Sequence, residues 1–170
     1  MWPKELDPAA RLSFTGRESL EVLKAASPNE SWCSRLRAAG SSNVAAATIL
    51  VTWSSEAPVL GLIDALELYV ESTSLDPAAT FFWICDFCVR QAADDDSTAP
   101  DVVRSGEMIR EIGHTVLYLE GWSSSPPALT RSWILWELFN SADPGVTFGV
   151  AMTKREQGTQ IQMVTASVYT

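Results

Sequence analysis

Four stretches of the chain, residues 44–53, 80–87, 115–119 and 146–152, are apolar and rich in β-branched or aromatic side chains. Runs of this kind suit strands covered on both faces, the signature of a parallel sheet. Helical periodicity fills the intervals. From Pro58 to about Glu71, Gly61, Asp64, Glu67 and Glu71 form a narrow polar stripe, and Val59, Leu62, Ile63, Leu66, Tyr69 and Val70 fill the remainder. Thr98 and Asp101 flank Pro100 as start signals for a second helix, whose Val102, Ile109 and Ile112 face the sheet and which Gly113 ends. Strands alternating with helices imply an α/β doubly wound open sheet with right-handed crossovers.

The first 42 residues read as a helical extension, and residues 43–170 as the α/β domain. Thr15 and Glu18 have capping-box spacing, so a helix is expected from there to about Ala26. Ser27 and Pro28 repeat the device, starting a second helix with Trp32, Leu36 and Ala39 on one side and Gly40 at its end. Such short helices carry too few large apolar residues for a core of their own, and are expected to pack on the following domain or on another chain. The polar stretch 91–99 reads as an exposed loop, and residues 123–127 as a rigid connector. Beyond Lys154 two patterns compete: Ile161, Met163 and Thr165 alternate as in a strand, whereas Ile161, Val164 and Val168 suit a helix. The usual fifth strand and its helix are not distinct.

Residues 127–140, PALTRSWILWELFN, hold a single carboxylate in an otherwise apolar run. At 3.6 residues per turn Thr130, Trp133, Ile134 and Asn140 share the face of Glu137, while Leu135 and Phe139 point the other way. The expectation is that Leu135 and Phe139 enter the core and the acid looks outward beside an indole. A helix starting at Thr130 puts the acid about 10 Å along its axis, at ~1.5 Å per residue.

Composition narrows the classes. Of 170 residues 46% are hydrophobic and 19% charged, a globular balance sufficient for one domain with a sizeable core. A net charge of -9 opposes a phosphate-neutralising surface, so nucleic acid is not an expected partner. No apolar h-region opens the chain and no run of roughly 18 apolar residues exists to span a bilayer, so a soluble cytoplasmic protein without a membrane partner is expected. Cys85 and Cys88 have CxxC spacing, but no second pair exists and His114 is the sole histidine. This opposes a zinc site and favours reduced, buried, structural thiols.

Three motifs resemble the Toll/interleukin receptor (TIR) domain, and more closely the TIR-like domains of algal and protist proteins. They are Val51-Thr52-Trp53-Ser54-Ser55-Glu56-Ala57-Pro58, then Trp83-Ile84-Cys85-Asp86-Phe87-Cys88-Val89-Arg90-Gln91, then Leu129-Thr130-Arg131-Ser132-Trp133-Ile134-Leu135-Trp136-Glu137-Leu138. The last resembles the family's W-C-x-x-E-L element, with Ile134 where cysteine is usual. In the first, no histidine precedes the tryptophan as the protist relatives have it. The resemblance covers residues 48–152 and implies a flavodoxin-like sheet of order 2-1-3-4-5.

It further implies a signalling or assembly module working through protein partners, self-association included. The alternative it implies is cleavage of NAD with release of nicotinamide, Glu137 being the matching glutamate, or nucleotide binding without chemistry. NAD would then be a substrate, and no cofactor or metal is expected. Loss of nicotinamide leaves positive charge on the ribose, which a carboxylate stabilises, and the pyridinium departs neutral without needing an acid. Trp53, Ser54, Arg90 and Trp133 are the expected substrate-binding residues, with an indole stacked on the cationic ring. The crevice should lie beyond the carboxyl ends of the strands, between the first and third, where Trp53 to Glu56, Arg90 and Trp122 gather. No glycine-rich phosphate loop is present, which opposes kinase and dehydrogenase readings. His114 and the serines at 123–125 lack partners for triad chemistry and read as structural.

Overall fold

A computed structural model describes residues 13–26, 29–91, 98–121 and 127–158. In order they form α1 (Gly16–Ala26), α2 (Trp32–Ala38), β1 (Ile49–Thr52), α3 (Val59–Ser72), β2 (Phe82–Ile84), the short α4 (Cys85–Cys88), α5 (Thr98–Ile112) and β3 (His114–Tyr118). A 3-10 turn (Pro127–Thr130), α6 (Ser132–Ser141) and β4 (Thr147–Ala151) follow. The sheet is parallel throughout, in the order β2-β1-β3-β4. The alternation of runs predicts this open parallel sheet and the resemblance its flavodoxin-like order, with four strands among the described residues where a full order has five. Both readings of the tail beyond 158, the connector at 123–126 and Trp122 lie outside the described residues.

Period-two alternation divides the strands between two cores. Ile49, Val51, Val116, Tyr118 and Ala151 pack under α3 with Val59, Leu62, Ala65 and Leu66. On the other face Leu117 and Leu119 meet Ala128, Ile134 and Met152. The parallel register pairs Leu50 with Thr115 and Thr52 with Leu117, so both threonines lie on this second face. α5 ends as Gly113 takes a left-handed φ of +70°, a conformation that glycine adopts without strain, and its N–H bonds Ile109 O at 2.9 Å.

The capping box forms as its spacing requires: Thr15 N donates to Glu18 Oε2 at 2.7 Å and Glu18 N to Thr15 Oγ1 at 3.3 Å. The helical extension is sewn to the sheet. Gly16 N bonds Ala57 O at 3.0 Å, Arg17 N bonds Ser55 O at 2.7 Å and Val59 N bonds Phe14 O at 2.9 Å, so α1 docks on the loop that leaves β1.

Several expectations are corrected. α2 starts at Trp32 and not beside Pro28, because Ser31 is its cap and accepts from Ser34 N at 3.1 Å. The second apolar run ends as a strand at Ile84, and Cys85–Cys88 turn into one helical turn. β2 is an edge strand, so all three of its residues are only half-buried where a strand covered on both faces was expected. β4 is similarly open, with Thr147, Phe148 and Val150 exposed. The largest correction is the direction of α6. Glu137 points inward and is 2% exposed, while Leu135 and Phe139 point to solvent at 49% and 74%. Periodicity groups residues by face but does not say which face is inside; here Ile134, Glu137 and Ser141 form the buried side.

Candidate functional site

The site is built where the second face of the sheet meets its carboxyl edge. Thr52 ends β1, Asp86 follows β2 on α4, and Arg131, Trp133 and Glu137 come from the start and middle of α6. In an open α/β sheet a ligand crevice is expected at the carboxyl ends of strands where the order reverses, here between β1 and β3.

Glu137 is the centre of this arrangement. Burial raises its carboxyl from the usual carboxylate range to about 7; the Thr52 hydroxyl and the Trp133 indole oppose the rise, and the nearby Asp86 carboxyl adds to it. Thr52 Oγ1 is buried and close enough to lower the carboxyl, though it makes no hydrogen bond of ordinary geometry, and Thr115 Oγ1 on the same face has no partner. Hydroxyls left without partners inside a protein are unfavourable, and a polar guest would satisfy them.

Asp86 is raised as well, first by burial, against the lowering effects of the Trp53 hydrogen bond and the Arg131 charge. Trp53 Nε1 donates to Asp86 Oδ2 at 2.6 Å, a charge-assisted length. At the rim Arg131 Nη1 stands 3.8 Å from Glu56 Oε1, and Arg17 also pairs with Glu56. These side chains are about half exposed, so the pairs hold geometry more than stability.

Two carboxyl groups in one buried corner, both held above their ordinary range, cannot both ionise without strain. Such a corner can exchange a proton near neutrality, or hold a cation that draws both acids into their charged forms.

The structure distributes the expected site residues unevenly. Trp133 sits beside Glu137 on α6, and Trp53 reaches it through Asp86. The Trp53 ring is 7% exposed and packs in the core under α3, with Gly16 against it; an added Cβ at position 16 would strike the indole. Ser54 is buried at 3% and its hydroxyl accepts from Glu56 N at 3.3 Å, an occupation that shapes the loop. Arg90 is exposed and lines a separate cavity of about 440 Å³ with Trp83, Cys88 and Arg104, to which neither Glu137 nor Trp133 contributes. Thr52 and Asp86 were missed as site residues. Their only sequence signals are a hydroxyl at the end of an apolar strand and a lone acid inside the run 80–87.

The outer side of α6 is the second unusual surface. Leu135, Trp136 and Phe139 are exposed there, and Phe148 and Val150 of β4 are exposed on the sheet face that α6 leaves uncovered. Trp136 and Phe139 stack with centroids 6.3 Å apart, and Trp136 Nε1 donates to Ser105 Oγ of α5 at 3.3 Å. Between Ser132 and Ser141 Glu137 is the one charged residue, and it is buried, so the outward face of the helix carries no charge.

Among the described residues no group of three or more His, Cys, Asp and Glu gathers as a metal site, and no helix is long and apolar enough to cross a membrane. No family model, curated protein or solved structure matches the chain.

Proposed function

We propose that the chain is an assembly module of TIR-like type, associating with a second copy of itself through the outer face of α6. The observation that supports this reading is the exposure of Leu135, Trp136 and Phe139 on the outer face of α6, a face that carries no charge. Trp136 and Phe139 stack on this face, and exposed apolar patches mark interaction sites. A second copy presents the same uncharged apolar face, so the two can meet there in a self-complementary contact. The chain is at -9, so copies repel at long range, and the uncharged outer face of α6 adds no local like-charge contact. Light scattering against concentration tests it: a mass rising above the 18.6 kDa of one chain supports the module, and a constant monomer mass refutes it.

A second reading has its own support. What supports it is a carboxyl, Glu137, buried near the switch of strand order beside the Thr52 hydroxyl and the Trp133 indole, since an acid near a ribose stabilises a sugar cation. Under this reading the chain releases nicotinamide from NAD. Its test is nicotinamide release by the purified chain, with Glu137→Gln as the control.

A further inference from the structure

Cys33 lies in the first turn of α2 and Cys88 closes α4, 55 positions further on, yet their sulfurs are 3.4 Å apart. All three cysteines are reduced and half-buried, not sealed in the core as structural thiols would be. Neither helix of the pair has a fully buried residue, so each sits at the surface, tied by its cap and by the Trp53–Asp86 bond. Closing the gap to a disulfide requires an approach of about 1.3 Å, since the bond is ~2.05 Å long.

We propose that Cys33 and Cys88 form a peroxide-responsive dithiol whose oxidation fastens the N-terminal helices covalently to the end of β2.

The two sulfurs have different roles. The Cys88 thiol facing Cys33, with help from Arg37 and against partial burial, holds Cys33 down at about 7; sharing that proton, together with burial, pushes Cys88 up. Cys33 is therefore the more acidic thiol of the two, and Cys88 the one that keeps its proton when Cys33 ionises. Cys88 also lines the cavity of about 440 Å³ that includes Arg90 and Arg104, which gives a small oxidant a path to the pair.

The chemistry balances with hydrogen peroxide as oxidant. The Cys33 thiolate attacks one peroxide oxygen, the O–O bond breaks, and the departing hydroxide takes a proton to leave as water. Cys33 is then a sulfenic acid. The Cys88 sulfur attacks the Cys33 sulfur, the S–O bond breaks, and the leaving hydroxide takes the Cys88 proton as a second water. Two thiols lose two electrons and the peroxide becomes two waters. The bridge closes a loop of 55 positions and restrains α4, whose Asp86 holds Trp53. This device depends on neither functional reading above.

The test is a peroxide titration of the full chain followed by peptide mapping without reductant. Expected are the loss of two thiols per chain, one cross-linked peptide pair joining Cys33 to Cys88, reversal by dithiothreitol, and a melting temperature several degrees higher in the oxidised form. Cys33→Ser should abolish the bridge and Cys85→Ser should leave it. A Cys85–Cys88 bridge, a bridge between chains, or progress of Cys33 to sulfinic acid without a cross-link would overturn the proposal. Mapping of the wild-type chain decides between these outcomes even where a variant fails to fold.

Discussion

Glu137 and Phe139 stand two positions apart on one helix and have exchanged the places that their chemistry would assign: the carboxylate is 2% exposed and the phenyl ring 74%. Burying an acid and exposing a large aromatic both work against stability. The same helix therefore carries two departures, and each is open to measurement.

The inward acid makes folding depend on pH. Its carboxyl rises from 4.5 to about 7 on folding, so between these values the folded chain binds more protons than the unfolded one. The contribution of Glu137 to stability is then greatest below about pH 4.5, falls as pH rises through about 7, and levels off above it. The difference is roughly 3 kcal/mol, because each pH unit between the two values is worth about 1.4 kcal/mol. Asp86, also raised, acts in the same direction over its own range. Denaturant unfolding across pH should show this decline, and Glu137→Gln should flatten most of it while stabilising the chain by roughly 2 kcal/mol at about pH 8. Equal pH dependence in the variant would mean that the acid is solvated.

Asp86 and Glu137 should titrate as a pair. Replacing Asp86 with Asn removes a like charge, so the Glu137 midpoint should move to lower pH while the amide oxygen still accepts from Trp53. Carboxyl carbon resonances followed against pH measure the change. An unmoved midpoint would show that burial alone sets the Glu137 value.

Much of the frame could be read from local pattern. The capping pair Thr15 and Glu18, the β-branched run Ile49–Thr52 and the terminating Gly113 each act through neighbours within four residues, where periodicity and propensity are informative. What escaped depends on distant partners. Cys85–Cys88 continues an apolar run, and nothing local says that Asp86 will turn to meet an indole 33 positions earlier. Spacing sets Leu135 and Phe139 opposite Glu137, as observed, but Thr130 falls in the 3-10 turn before α6, and which face turns inward depends on Ile134 packing against Leu117 and Leu119, which sequence spacing does not contain.

If Glu137 performs chemistry on NAD, its ionised form is the useful one. Nicotinamide release should then climb with pH through about 7, and Glu137→Gln should lower it by about a hundredfold or more, as for other losses of a transition-state electrostatic partner. A rate that does not change with the substitution removes the acid from the mechanism.

Salt separates the assembly reading from charge pairing. Two copies at -9 repel, and the proposed surface is neutral, so screening should strengthen association between about 0.05 and 0.5 M salt. Weakening over that range would point to ion pairs across the interface instead.

Sedimentation velocity of the wild type and Phe139→Ser, over a wide concentration range at fixed salt, tests the outward face of α6 most directly. Phe139 is mostly exposed, so its truncation should leave the melting temperature almost unchanged. The expected result is a mass that rises with concentration in the wild type and stays near 18.6 kDa in the variant. A wild-type chain that sediments as a monomer throughout, or a variant that associates equally well, would contradict it.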